Sequence, residues 1–264
     1  MRLLHTRPER LATIPYRAAG PGGGPRNEQL AVEKLRVDKL PAGCAALLAA
    51  GDLQGIASSP LGGSPGLLGL ALADYLTVWA ECGLLPPPDR VGVLLTGDLF
   101  SAPGADKRGA SGDVLDVWLA FAAAGCPMVF GVAGNHDQVS AAQVAELGPG
   151  VALLDGDRRD YGGITVAGVS GIVGDPARPL RRPEKEFLRL VEKAITPATD
   201  ILLLHEGPRG EQANQRGNAS VRELLARRPP SLTLCGHVHW DVPVAALGDG
   251  HIVNVDARVA VLAP

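Results

Sequence analysis

Five times along this 264-residue chain, an apolar run of strand length stops at a short polar string that contains glycine. Residues 44–50 precede GDLQG, 91–96 precede GDLF and 128–133 precede GNHD; 201–204 precede HEGP and 232–235 precede GHVH. Runs this uniformly apolar predict strands covered on both faces, since a solvated face would alternate with polar residues. Helical patterns fall between them. Residues 67–81 are almost wholly apolar, and 114–124 follow a cap region at Ser111 and Asp113. Over 182–195, Phe187, Leu188, Val191, Ala194 and Ile195 form one stripe. Ser220 to Glu223 has the form of a capping box that opens another helix. Further strands are expected at 151–154, 164–169, 242–246 and 252–255. Alternating strands and helices predict an α/β protein, with two sheets and helices outside them. The polar strings then gather at the carboxyl ends of strands, where such folds build their sites.

Composition narrows the classes. A net charge of −3 gives no general attraction to nucleic acid or to an anionic membrane. The first eleven residues carry Arg2, His5, Arg7, Glu9 and Arg10 and lack the apolar core of a signal peptide. The longest apolar stretch, near 67–80, is interrupted by Asp74 and is too short to span a bilayer. Cys44, Cys82, Cys126 and Cys235 are far apart and form no CxxC, as expected of reduced thiols in a cytoplasmic protein. Residues 1–41 read as a peripheral segment outside the main domain at 42–264. They carry the glycine-rich AGPGGGP, read as a flexible surface stretch, and a short helix over 27–39. No GK[ST] follows those glycines, so they are not a phosphate loop.

The polar strings offer the donors that hold two divalent metals side by side. One carboxylate must bridge such a pair, and neutral or anionic donors complete each shell. Histidine ligates as neutral imidazole, and Asn or Gln through the amide oxygen. The candidates are Asp52 with Gln54, Asp98, Asn135 with His136, His205, and His237 with His239. Asp52/Gln54 and His237/His239 are spaced so that both members of a pair leave a strand end on the same side. Asp137 is read as a residue that orients the turn, and His5 and His251 lie outside the pattern.

Taken in order, these strings resemble the calcineurin-like metallophosphoesterases, whose pattern is DxH, GD, GNH[DE], a lone His and GHxH. The stretch from His205 through GHVH is similar to their small single-domain, phosphodiesterase-like branch. The resemblance implies a four-layer α/β sandwich, two mixed β-sheets packed face to face with flanking helices. It implies that Asp52, Gln54 and His239 hold one metal, that Asp98 bridges, and that Asn135, His205 and His237 hold the other. His136 is then the catalytic histidine that assists the leaving group. A hydroxide bridging the metals would attack phosphorus in line.

Two departures carry meaning. Gln54 stands where most members have His; it ligates through oxygen or only hydrogen-bonds to a ligand, and as an oxygen donor it favours Mn²⁺ over Fe, Zn or Ni. GDLFSAPGAD lacks the GDxVDRG form of the Ser/Thr protein phosphatases. The expected activity is hydrolysis of phosphate esters, phosphodiesters preferred, on a small phosphorylated molecule. A nucleotide or dinucleoside-polyphosphate hydrolase is the alternative within enzymes, and a non-catalytic scaffold of the same fold is the alternative outside them. Few residues follow His239, so the cap domain of the superfamily's DNA-break nucleases is not expected. In the polar loop after HEGP, Arg209 is the candidate substrate-phosphate contact; Gln215 and Arg216 are read as solvated, and Trp240 as packing.

Overall fold

The strand Ala46–Gly51 shows how the layers arise. Side chains on a strand point alternately to opposite faces, and here Ala46, Leu48 and Ala50 join one apolar cluster while Leu47 and Ala49 join another. Both faces are therefore covered, as the unbroken apolar run predicts. The computed structural model describes residues 1–264 and repeats this arrangement through two sheets.

The larger sheet has nine strands. Val151–Leu153, Val129–Gly131, Val91–Leu95 and Ala46–Gly51 run parallel; Arg258–Ala263 is antiparallel to the last of these. Pro25–Arg36 and Glu9–Ala19 follow, and two short strands finish that edge. The second sheet has six strands, with Ile164–Val169, Ile201–Glu206, Leu232–Gly236 and Gly250–Asn254 parallel at its centre. Its two edge strands, Asp157–Tyr161 and Val244–Leu247, are antiparallel to their neighbours.

Three apolar clusters separate four layers. Leu68, Leu72 and Leu76 of the helix Leu68–Glu81, with Trp118 and Phe121 of Leu115–Ala123, pack on the outside of the larger sheet. Leu47, Leu94 and Phe130 meet Val166, Leu203 and Leu234 between the sheets. Phe187 and Val191 of the helix Glu184–Ala194, with Val221 and Leu225 of Ala219–Arg227, cover the outside of the smaller sheet. The protein is thus the expected four-layer α/β sandwich of two mixed sheets.

The amino-terminal region departs from expectation. Residues 27–39 form no helix; Pro25–Arg36 is a strand, paired antiparallel with Glu9–Ala19 and parallel with Arg258–Ala263. Ile14, Leu30, Val32 and Leu35 are fully buried, so the segment expected to be peripheral supplies two strands and part of the core. The Glu, Lys and Leu of 28–35 favour helix locally, but ladder pairing and burial of Leu30 and Val32 on one face override that preference. The glycine-rich stretch is the turn of this hairpin, closed by a hydrogen bond from Gly20 N to Gly24 O at 2.8 Å. The capping box at Ser220 is also corrected. The helix begins at Ala219, and Asn218 caps it by accepting from Val221 N at 3.0 Å.

Candidate metal centre

Three of the polar strings turn sharply where their strand ends. Asp52, Asp98 and His237 have φ of 51°, 54° and 68°, and they account for three of the six non-glycine residues in the left-handed region. That conformation is unfavourable for residues with a Cβ. Hydrogen bonds hold it in place. Asp52 N donates to Gly97 O at 2.8 Å, Asp98 N to Asp137 Oδ2 at 2.8 Å and His237 N to Asp52 Oδ2 at 2.9 Å. The adjacent glycines are set by contact between strings. A Cβ on Gly134 would lie 2.0 Å from Asp98 Oδ1, and one on Gly236 would lie 2.1 Å from Asp52 Oδ2. No side chain fits at either position.

The turns bring the donors together. One ligating atom each from Asp98, His205 and His237 lies within 4.8 Å of the other two. Gln54 Nε2 donates to Asp98 Oδ2 at 3.2 Å, which leaves the Gln54 carbonyl oxygen as the atom it has to offer a metal. His205 Nδ1 donates to Thr96 O at 2.8 Å, so Nε2 is the nitrogen that faces Asp98. Asn135 Oδ1 is buried and makes no hydrogen bond, and His205 Nε2 has only Asp98 Oδ2, 3.4 Å away. Buried acceptors are seldom left unpaired, and a carboxylate with two imidazoles so close together fits a divalent cation. Oxygen and nitrogen donors of this kind are those of a hydrolytic dinuclear site.

The charges respond to this crowding. Burial raises the Asp52 carboxyl well above its ordinary value, and nearby Asp256 adds to the effect. Burial alone would lower the His205 imidazole and raise the Asp98 carboxyl. Their mutual attraction outweighs it, lifting His205 to about 10 and lowering Asp98. Burial and the positive charge on His205 push His237 down to about 4. Charges so strongly perturbed in a cleft mark a functional site.

The remaining candidates sort by position. His136 lines the same cleft, its backbone N–H donating to Asp98 Oδ1 at 3.0 Å and its Nδ1 lying 3.1 Å from Ser111 Oγ. Asp137 accepts from the backbone N–H groups of Asp98, Leu99 and Gly134, each at 2.8 Å, and so orients the turn as expected. His239 lines the cleft, but Asp256 lies 3.2 Å from its Nδ1 and Arg258 Nη2 lies 3.3 Å from its Nε2. It stands apart from the Asp98–His205–His237 cluster, and ligation through Nε2 requires it to give up the Arg258 contact. Arg209, the expected phosphate contact, lies elsewhere: it lines a separate surface hollow with Glu211 and Arg222. Arg216 of the same loop lines the cleft instead. Gln215, expected to be solvated, is buried and donates to the carbonyls of Val242 and Val244. Trp240 is buried, in line with a packing role.

Several residues of the site escape a reading by strings. Asp256 directly follows the expected strand at 252–255 but has no flanking glycine to mark it. Ser111 carries a signal only as a helix-cap neighbour. The hairpin residues Tyr16, Arg26 and Glu28 carry none, although they line the cleft.

A family model described as calcineurin-like phosphoesterase matches residues 47–241. Among solved structures, the crystal structure of TT1561 of Thermus thermophilus superposes with a TM-score of 0.55 at 19% identity, covering 81% of this chain and 90% of its own. A second solved structure superposes with a TM-score of 0.51 at 15% identity, with coverage of 81% and 90%. At such identities the likeness is one of fold. No curated protein matches this sequence.

Proposed function

The chain belongs to the calcineurin-like phosphoesterase family and is a metal-dependent phosphoesterase, and on that premise we propose that it hydrolyses phosphodiesters of small phosphorylated molecules. The observation that carries this reading is the convergence of Asp98, His205 and His237, together with the buried, unpartnered Asn135 Oδ1. Asn135, His205 and His237 would hold one cation, Asp98 would bridge, and Asp52, Gln54 and His239 would serve the other. The oxygen donors Asp52, Gln54, Asp98 and Asn135 support Mn²⁺ as the metal. When bound, the cations would supply positive charge to the phosphoryl oxygens and make a water acidic enough to attack phosphorus near neutral pH.

The protein's own groups have distinct tasks. The Thr96 carbonyl holds His205 in one tautomer, and Asp137 fixes the turn that presents Asp98. His136 reaches the cleft with Nδ1 against the Ser111 hydroxyl, which leaves Nε2 to hand a proton to the departing oxygen. The four cysteines are unpaired, which supports a reducing, cytoplasmic setting. No helix is long and apolar enough to cross a membrane.

The test is hydrolysis of bis-p-nitrophenyl phosphate by the Mn²⁺-loaded protein. Turnover is expected, with a loss of about 10²-fold or more in kcat in His136→Ala. If no divalent metal supports turnover and His136→Ala matches the wild type, the enzyme reading fails and a non-catalytic scaffold takes its place.

A further inference from the structure

The cleft over the metal centre is far larger than a reacting phosphoryl group needs. Its volume is about 820 Å³, within the range of pockets that enclose a whole nucleotide-sized ligand. Its walls are charged unevenly. The carboxylates of Asp52, Asp98 and Asp256 belong to the cluster around the histidines, and Glu28 is neutralised by Arg26 at 2.6 Å. Lys107, Arg108 and Arg216 also line the cleft, and none of the three has an ion-pair partner.

Two loops bring these cations to the cleft. Lys107 and Arg108 lead into Gly109, which has φ +63° and whose Cβ position lies 3.2 Å from His136 Cε1. Their loop therefore lies beside His136. Arg216 belongs to another loop, anchored where Trp240 Nε1 donates to the Arg216 carbonyl at 2.6 Å. Its residue also borders the smaller cavity shared with His237. Unpaired cations at the edge of a binding cleft attract anions, and Arg suits phosphate oxygens through its paired N–H groups.

We propose that Lys107, Arg108 and Arg216 form a second phosphate subsite, so that the substrate is a nucleotide-like molecule bearing a further phosphate besides the one hydrolysed. This rests on the phosphodiesterase reading and names the class of substrate for it. A substrate with one phosphate uses the metal centre alone. One with two engages the cations as well, through oxygens that take no part in the bond broken.

Two probes isolate the subsite: thymidine 5′-(p-nitrophenyl phosphate) and its 3′-phosphorylated form. They share the scissile bond and the leaving group and differ by one phosphate. The Mn²⁺-loaded wild type is expected to favour the 3′-phosphorylated probe by about tenfold or more in kcat/KM. In K107A/R108A/R216A the ratio between the two probes is expected to fall to about one, at unchanged metal content and far-ultraviolet circular dichroism. Equal use of both probes by the wild type overturns the proposal, as does a preference that survives the triple substitution. Hydrolysis of neither probe overturns the phosphodiesterase reading and the subsite with it, which separates that failure from failure of the subsite alone.

Discussion

Asp52, Asp98 and His237 occupy a backbone conformation that costs residues with a Cβ on the order of 1–3 kcal/mol each. The chain sustains it because each N–H is captured by another string's carbonyl or carboxylate. Glycine beside each of them makes room for the neighbouring string, and this explains why the strings read GD, GNHD and GHVH. The same close packing sets His136, the proposed catalytic histidine. Ser111 lies against His136 Nδ1, and Gly112 N donates to His136 O at 3.1 Å, zipping the two loops together. A hydroxyl both donates and accepts, so Ser111 can pair with either tautomer of His136. Ser111→Ala is expected to lower kcat about tenfold with little change in KM, the defect being larger for a phenyl than for a p-nitrophenyl leaving group. Ser111→Thr should restore activity. Equal defects with both leaving groups would assign Ser111 a merely structural role.

At the scale of elements, what could be read in the chain depended on whether a segment's own pattern decided its conformation. The five central strands were legible because burial on both faces makes a run such as Val91–Leu95 wholly apolar. The amino-terminal hairpin was not, because Pro25–Arg36 mixes Glu, Lys and Arg with spaced apolar residues that suit a helix equally well. Pairing with Arg258–Ala263, more than two hundred residues away in sequence, decides it as a strand. Ligands were legible where a short string carries Asp, Asn or His just past a strand, whereas Tyr16 and Arg216 reach the cleft only through the packing of distant segments. Leu30 tests the hairpin's place. It is fully buried in the outer core, so Leu30→Ala is expected to cost about 2–5 kcal/mol in denaturant unfolding. A cost below about 0.5 kcal/mol, as at a surface position, would return the hairpin to the periphery.

The whole molecule is arranged around one meeting line. Parallel strands in both sheets deliver their carboxyl ends to the same side, so Asp98 from the larger sheet meets His205 and His237 from the smaller, and Asp52 accepts from the His237 N–H. The apolar layer between the sheets holds these ends in register, and the hairpin, which lies outside the residues matched by the family model, walls the cleft they form. Metal binding at this junction is expected to depend on Asp98. Calorimetric titration of metal-free protein with Mn²⁺, checked by elemental analysis, tests it most directly. About two Mn²⁺ per chain are expected in the wild type, and loss of both in Asp98→Asn, whose near-identical shape preserves the fold. Saturable binding unaffected by Asp98→Asn, or no binding by the wild type, would contradict it.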